Sequence, residues 1–253
     1  TFRNIEEINL NGTNQTVVLG IDDVFDMMET STQNIGGRDI AKLDSGDTSN
    51  IYVIESNTWN GHTGILADNN IATAHEGEGG LGGFSASTFN SGFQTFDFGS
   101  GYELWINDTL ISAEHVVIAR NVVTGSSNAT ADEQSLIGTT GIDYLSDQNM
   151  KGISFFGFEG DDTFEINNGQ FHMINGRSVV LDTINFQTDT DLSGRNPDII
   201  TGIEVFDMGI TGANTMTLTN SNIMKLLQTS DNNTLTINSN NAGDVLNIDD
   251  MGA

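Results

Sequence analysis

The chain has 253 residues and carries 8 Lys and Arg against 35 Asp and Glu, which gives a formal net charge of −27. Such an acidic surface excludes nucleic acid as a partner, because phosphate binding needs a basic patch. The carboxylates far outnumber the available cations, so their repulsion opposes a compact state unless something neutralises them. Calcium takes oxygen ligands from carboxylates, and the composition therefore favours several bound Ca²⁺ ions.

The absence of certain residues and segments limits the protein class further. There is no cysteine, so disulfides and thiolate metal sites are excluded. No run of about 18 apolar residues is present, which predicts no membrane insertion. The chain opens at Thr1 without a signal-like segment, and we interpret it as an internal piece of a longer protein.

Short alternating apolar runs, separated by turns rich in Gly, Asn, Asp and Ser, predict an all-β protein. The pattern is typical of a sandwich or a solenoid. The runs are IEEINL, TVVL, NIYVI, HVVIA and TLTIN, which begin at Ile5, Thr16, Asn50, His115 and Thr234.

A strand–turn–strand–helix unit occurs near each end of the chain, starting at Ile5 and at Ile203. Asp22 and Ser221 lie where the helix N-caps are expected. The second copy continues into TLTINSNNAGDVLNID, which we predict to be a hairpin without a clean equivalent in the first copy. With a one-residue gap in the turn, the aligned pairs are Ile5/Ile203, Asn9/Asp207, Thr16/Thr215, Leu19/Leu218, Val24/Ile223 and Met27/Leu226.

The repeat allows two domain organisations. In the first, residues 1–39 and 198–253 are halves of one scaffold, and residues 40–197 form an inserted ligand-binding domain. In the second, residues 198–253 begin a tandem domain. The first organisation predicts a calcium-bound, β-sandwich-like all-β fold with an insertion between the two repeated units.

Two glycine-rich turns match a calcium-binding repeat. GTTGIDYLS from Gly138 and GFEGDDTFE from Gly157 fit the G-x-x-G-x-D-x-[apolar] pattern of calcium-binding β-rolls. They predict Asp143, Asp161 and Asp162 as calcium ligands. Two copies are too few for a stable roll, so we interpret them as an isolated calcium-bearing turn or a relic.

A second acidic motif is DTDLSGRNPD. Asp189, Asp191 and Ser193 occupy positions 1, 3 and 5 of a D-x-D-x-[DNS]-G loop, which predicts another calcium site. The Glu expected at position 12 of an EF-hand is replaced by Ile200, so Asp198 or Glu204 is needed to complete the ligand shell.

The segment HEGEGGLGGF is the candidate ligand-binding loop, because dense glycine allows backbone to approach a ligand closely. Trp59 is a candidate stacking residue in a neighbouring glycine-containing loop. The predicted ligand-binding residues are Trp59, His75, Glu76, Glu78, Gly79 and Gly80. No nucleophile elbow, dinucleotide fingerprint or H-E-x-x-H motif is present, and we predict that the protein is not an enzyme.

The repeated I-E-x-[IF]-[DN]-[LM] … N-T-[ML]-T-L unit, the G-D-x-[VL]-N-[LI] segment and the G-x-x-G-x-D turns resemble the ligand-binding region of bacterial RTX adhesins. They cover about a third of the chain. The resemblance implies a secreted protein at the bacterial cell surface, neighbouring adhesin domains, and a role in adhesion and biofilm formation. It also implies that this region carries peptide-binding, sugar-binding or ice-binding modules, of which the peptide-binding ones hold a C-terminal carboxylate against calcium.

The leading functional hypothesis is therefore a calcium-dependent module that binds a cell-surface peptide. A carbohydrate-binding, lectin-like module is the first alternative, because partly coordinated calcium also accepts sugar hydroxyls. A structural extender domain, in which calcium only rigidifies the adhesin, is the second. An enzyme acting on polysaccharide comes last.

Overall fold

The computed structural model describes residues 5–20, 23–24, 26–27, 34–35, 38–47, 49–55, 93–99, 102–107, 109–110, 115–119, 121–132, 134–177, 181–209, 212–230 and 233–249. The chain forms two compact units, Thr1–Arg120 and Asn121–Ala253, which we call the N-terminal unit and the C-terminal unit. The predicted boundaries after residues 39 and 197 both fall inside a unit.

The N-terminal unit is built from coils of chain that alternate between two sheets. One sheet has the strand order β1-β4-β7-β6, with β3 on β4, and the other has the order β2-β5-β8. Strands β1, β4 and β7 are mutually parallel, as are β2, β5 and β8, whereas β3 and β6 pair antiparallel. The strands are β1 (Glu7–Leu10), β2 (Thr16–Gly20), β3 (Asn34–Ile35), β4 (Arg38–Ser45), β5 (Ile51–Glu55), β6 (Phe93–Gly99), β7 (Tyr102–Asn107) and β8 (Val116–Ala119).

The C-terminal unit is a longer solenoid with three parallel sheets. Their strand orders are β10-β12-β14-β16-β19-β21, β18-β15-β13-β11-β9 and β17-β20-β22. The strands are β9 (Val122–Thr124), β10 (Ser127–Asn128), β11 (Ser135–Ile137), β12 (Tyr144–Ser146), β13 (Ser154–Phe156), β14 (Thr163–Ile166), β15 (Met173–Asn175), β16 (Thr183–Phe186), β17 (Thr190–Asp191), β18 (Ile200–Thr201), β19 (Val205–Asp207), β20 (Thr215–Thr219), β21 (Thr236–Asn238) and β22 (Val245–Asp249).

Among the described residues of the C-terminal unit, two helical elements lie between these strands. A 3-10 turn spans Pro197–Ile199, and helix α1 spans Asn220–Thr229 between β20 and β21. Leu226 of α1 belongs to the core of the C-terminal unit, where it is 1% exposed. Among the described residues, no helix is long and apolar enough to cross a membrane.

Apolar side chains at alternate strand positions fill the space between the sheets, because successive strand residues point to opposite faces. In β14, for example, Phe164 and Ile166 are buried whereas Thr163 and Glu165 are partly exposed. Aromatic rings from two different sheets meet edge to face, with Phe155 of β13 and Phe164 of β14 centred 6.0 Å apart. Because the strands stack in parallel, the alternation of inward apolar and outward residues along each strand produces a continuous core.

The β-rich class predicted from the sequence is confirmed, but the sheets are parallel and the strands form solenoid coils. These strands do not form a sandwich of antiparallel hairpins. Residues 234–249 are not a hairpin, because β21 and β22 lie in different sheets. The two glycine-rich turns are not isolated either, since β12 pairs with β14 at Tyr144–Thr163 within one stack of coils.

The internal repeat is confirmed as a structural repeat, with one correction at the helix cap. Each copy contributes two strands, β1 and β2 or β19 and β20, followed by helical residues. The N-cap of α1 is Thr219 rather than Ser221, and it forms a capping box with Asn222. Gly20 occupies the equivalent position, where its N–H donates to Asp23 Oδ2 at 3.2 Å. The predicted cap Asp22 lies outside the described residues.

The structural repeat also extends further than the sequence alignment indicated. Glu7 pairs with Lys42, and its equivalent Val205 pairs with Thr236. In the second sheet, Thr16 pairs with Ile51, and Thr215 pairs with Val245. Residues 42–55 are therefore the counterpart of residues 236–249 without a gap, so the first copy does possess the second coil.

The position of the helix cap predicts the result of a paired substitution. Thr219→Ala removes the side chain that accepts from Asn222 N–H at 3.2 Å, and should lower the free energy of unfolding by about 1 kcal/mol. Ser221→Ala is the matched control and should have little effect. Chemical denaturation measures both variants, and a larger loss in Ser221→Ala would contradict the assigned cap.

Candidate cation site in the acidic ladder

Four acidic residues occupy the same corner in successive coils of the C-terminal unit. Each lies directly before a strand of one sheet, two positions ahead of an inward apolar residue. Because side chains alternate along extended backbone, each acid is turned inward with that apolar residue. We call these residues the acidic ladder: Asp143, Asp162, Asp182 and Glu204, which are 4%, 1%, 0% and 4% exposed.

Backbone hydrogen bonds link the acidic ladder from coil to coil. The N–H of Asp143 donates to Asp162 Oδ1 at 2.8 Å, and the N–H of Asp162 donates to Asp182 Oδ1 at 2.8 Å. The N–H of Asp182 donates in turn to Glu204 Oε2 at 2.9 Å. Each carboxylate therefore holds the preceding coil in register as well as its own side chain in place.

The two central carboxylates each have a second oxygen that is buried without a hydrogen-bond partner. These atoms are Asp162 Oδ2 and Asp182 Oδ2. At the end of the ladder, by contrast, Asp143 Oδ1 accepts from Ser126 Oγ at 2.8 Å and Asp143 Oδ2 accepts from Thr139 Oγ1 at 2.8 Å. A buried anionic oxygen without a donor is costly, so the centre of the ladder needs either protons or a cation.

Burial and stacked negative charge raise the pKa of both central acids. Burial is the main cause, and it raises the pKa of Asp182 to about 9 and that of Asp162 to about 7. Both groups ionise near 3.8 when unperturbed. Without a cation, the folded state therefore keeps protons that the unfolded state loses above about pH 4. Stability from these groups therefore falls as pH rises above about 4, and the loss is complete near pH 7 for Asp162 and near pH 9 for Asp182.

Glycine at the start of each corner makes room for the carboxylates. A Cβ on Gly157 would lie 2.4 Å from Asp162 Oδ2. A Cβ on Gly176 would lie 2.3 Å from the carbonyl oxygen of Gly202 and 2.5 Å from Asp182 Oδ2. Glycine is required at both positions because oxygen atoms lie too close for a Cβ. Carboxylate and carbonyl oxygens occupy the space where a side chain would otherwise lie.

This oxygen-rich corner fits a hard cation such as calcium, which takes carboxylate and carbonyl ligands. Asp162 and Asp182 would supply charge, and the carbonyl oxygen of Gly202 is positioned beside Asp182. Within the described ranges, no three His, Cys, Asp or Glu side chains are grouped closely enough to hold a metal by themselves. A cation here would accordingly depend on backbone oxygens and water to complete its shell.

The residues predicted from the β-roll turns have different environments. Asp143 and Asp162 belong to the acidic ladder. Asp161 is exposed, and its Oδ1 accepts from Leu181 N–H in the next coil at 3.1 Å. The turns thus bring two of the three predicted ligands to one corner.

Asp189 and Asp191 of the D-x-D-x-S-G motif each accept a backbone hydrogen bond. Asp189 Oδ1 accepts from Thr215 N–H at 2.6 Å, and Asp191 Oδ1 accepts from Ser193 N–H at 2.9 Å. The hydrogen bonds from Ser193 also lower the pKa of Asp191. Asp198 forms an ion pair with Lys225 at 2.7 Å, and Glu204 belongs to the acidic ladder.

All six predicted ligand-binding residues, Trp59, His75, Glu76, Glu78, Gly79 and Gly80, lie outside the described residues. The sequence analysis missed Asp182, and it considered Glu204 only as a ligand of the D-x-D-x-S-G loop. A signal for them exists, because an acid stands two residues before a buried apolar residue in IDYL, DDTF, LDTI and IEVF. The glycine spacing changes in the last two turns, so a search for the nonapeptide does not find them.

The chain was compared with protein-family models, with characterised proteins and with solved structures, and none of the three comparisons gives a match.

The close approach at Gly176 can be tested by adding one methyl group. Gly176→Ala should lower the melting temperature substantially or prevent folding, because its Cβ would overlap backbone oxygen at 2.3 Å. Gly194→Ala is the matched control, since a Cβ there meets nothing within 4 Å. Equal melting temperatures for the two variants would contradict the packing of this corner.

Proposed function

We propose that the chain is a calcium-dependent, non-enzymatic module of a bacterial surface adhesin, with the C-terminal unit as its cation-stabilised scaffold. The observation that carries the proposal is the pair of buried, unpartnered oxygens on Asp162 and Asp182 in a chain of net charge −27. The resemblance of the turns and the repeat to RTX adhesins supports the same function.

Calcium would neutralise the acidic ladder better than the Lys and Arg side chains of the protein could. The protein has only 8 Lys and Arg, and backbone N–H groups and hydroxyls donate hydrogen bonds to the ladder carboxylates. A divalent cation would offset two ionised carboxylates and coordinate neighbouring carbonyl oxygens at once. Millimolar extracellular calcium suits sites with dissociation constants of about 10⁻⁴–10⁻³ M.

The proposed ligand is a peptide bound through its C-terminal carboxylate on a target cell surface. In the N-terminal unit, Tyr52 pairs with Val116, so 63 residues lie between two adjacent positions of one sheet. The earlier coil is shorter, since Thr16 pairs with Ile51. The candidate ligand-binding residues all belong to this long excursion between stacked coils, which is a usual location for binding loops. A lectin-like site in the same excursion is the alternative.

A purely structural extender role is favoured by a separate observation. Both units are parallel solenoids, in which each coil contacts only its neighbours and length can grow by adding coils. In that role calcium would stabilise the protein in the same way, but the protein would bind neither peptide nor glycan.

Calcium should raise the melting temperature of the protein relative to EDTA. At a calcium concentration 100 times the dissociation constant, one site adds about 2.7 kcal/mol of stability, which corresponds to roughly 5–10 °C. The gain should be larger at pH 9 than at pH 6, because protons compete for Asp182 and Asp162 at the lower pH.

Substitutions then locate the cation. The Asp162→Asn, Asp182→Asn double variant should lose most of the calcium-induced shift, and calorimetric titration should count fewer ions. The Asp189→Asn, Asp191→Asn double variant removes the same formal charge, and it tests whether the D-x-D-x-S-G loop binds an ion. If the wild-type melting temperature is the same in EDTA and calcium, the proposed calcium dependence is wrong.

Peptide binding should require both calcium and a free peptide carboxylate. A peptide array probed with and without EDTA identifies a binder, and amidation of its C-terminus should then abolish binding. Trp59→Ala and Glu76→Gln should weaken that binding without lowering the melting temperature. Equal binding of amidated and free peptides would reject carboxylate capture, whereas binding only to a glycan array would favour the lectin-like alternative.

A further inference from the structure

The two unpartnered oxygens at the centre of the acidic ladder are shielded from solvent. Asp162 and Asp182 are 1% and 0% exposed, and the atoms Asp162 Oδ2 and Asp182 Oδ2 are themselves buried. A calcium ion that binds them must therefore leave bulk water and pass through packed protein. The groups around the two oxygens decide how it can do so.

Apolar side chains pack beside both oxygens. A Cβ on Gly157 would lie 2.4 Å from Asp162 Oδ2 and 2.9 Å from Phe164 Cζ. At the next corner, a Cβ on Gly176 would lie 2.8 Å from Ile203 Cδ1. Phe164 and Ile203 are both 0% exposed and belong to the hydrophobic core of the unit. An ion that crossed between these hydrocarbon groups would lose its hydration without compensation, which is costly.

Backbone hydrogen bonds hold the coils together on both sides of the carboxylates. The N–H of Gly157 donates to the carbonyl oxygen of Asn175 at 2.8 Å, and the N–H of Thr183 donates to that of Asp162 at 2.9 Å. Both bonds join the coil that contains Asp162 to the coil that contains Asp182. The gap between these coils cannot widen at the corner until such bonds break.

A cation–π contact joins the same two coils directly beside the glycines. Phe158 follows Gly157, and Arg177 follows Gly176. The Arg177 guanidinium lies 5.0 Å from the centre of the Phe158 ring, and Phe158 is 2% exposed. Neither residue is a candidate ligand of the cation. The pair is therefore a connection between the coils that can be removed without changing the ladder itself.

We propose that a cation enters and leaves the acidic ladder only when the coils separate at this corner, so that coil opening limits the rate of calcium uptake. The inference rests on the calcium site of the proposed function and adds how that site is reached. Several hydrogen bonds must break together, which sets opening near roughly one second, the slow end of the range for local unfolding. Calcium in the ladder is then a retained structural ion that does not follow rapid changes in calcium concentration.

The uptake rate tests this directly. Protein refolded in EDTA and then freed of chelator is mixed with radioactive calcium, quenched with excess EDTA after increasing times, and collected on a filter. The concentrations run from about 1 to 10 mM, at or above the usual dissociation constants of extracellular sites. The rate constant should be the same throughout this range, because opening precedes binding. An exposed site would instead fill in proportion to calcium concentration, because each encounter can lead to binding.

A paired substitution tests the path. Arg177→Gln removes the contact with Phe158 and should raise the uptake rate about two- to fivefold, the factor that one cation–π contact accounts for. Lys225→Gln is the matched control with the same charge change, because Lys225 pairs with Asp198 at 2.7 Å, and its uptake rate should equal that of the wild type. Equal rates for the two variants would overturn this corner as the route of entry.

Equilibrium dialysis of wild-type protein refolded in calcium separates the two levels of the argument. If calcium is bound at equilibrium but uptake rises tenfold with a tenfold concentration, or EDTA strips all label within the quench, coil-limited entry is overturned and the calcium site stands. If no calcium is bound after refolding, the proposed calcium dependence fails and this inference fails with it.

Discussion

Parallel stacking in register places each residue over its counterpart in the next coil, and the other features of the structure depend on this constraint. It is favourable for apolar positions, where Phe164 lies between Leu145 and Ile184 in one row. At the corner it has the opposite effect, because the same rule stacks Asp143, Asp162, Asp182 and Glu204. The backbone N–H groups satisfy one oxygen of each of the last three. Beyond that, the fold needs protons or a cation at the centre of the ladder.

The strands could be predicted from alternation, but their arrangement could not. A run such as TLTIN buries one face in a hairpin, a sandwich or a solenoid coil, so residues 234–249 gave no signal against a hairpin. The counterpart coil at residues 42–55 was missed because its residues differ from those at equivalent positions of 236–249. Tyr52 and Leu246, for example, share only an inward orientation and an apolar side chain. What is preserved is the nine-residue spacing between the two strands, from Lys42 to Ile51 and from Thr236 to Val245. The sequence analysis predicted Ser221 as the helix cap, whereas Thr219 caps α1 because Asn222 completes the reciprocal hydrogen bonds of a capping box.

The candidate site was half predictable for a related reason. Asp143 and Asp162 follow glycines in a recognisable pattern, whereas Asp182 and Glu204 follow turns of different length. Their shared property is a position two residues before an inward apolar strand residue. The sequence contains it in LDTI and IEVF, but the stacked coils are needed to recognise that these acids belong together. The D-x-D-x-S-G spacing, conversely, matches a calcium loop locally. In the structure, Asp189 accepts from the backbone of the adjacent coil beside the pairing of β17 with β20, a tertiary contact that the local spacing does not predict.

A solenoid also separates the parts of the chain that must be uniform from those that can vary. Register fixes the strands, but the connections between them range widely, since Ser135 pairs with Ser154 whereas Val205 pairs with Thr236. Lengthening a connection costs little, because loop-closure entropy grows only with the logarithm of length. The excursion between Tyr52 and Val116 is the longest of these connections. It contains all six residues that the sequence analysis predicts to bind a ligand. The acidic ladder lies in one unit and the long excursion lies in the other, so the proposed cation site and the proposed ligand site can change independently.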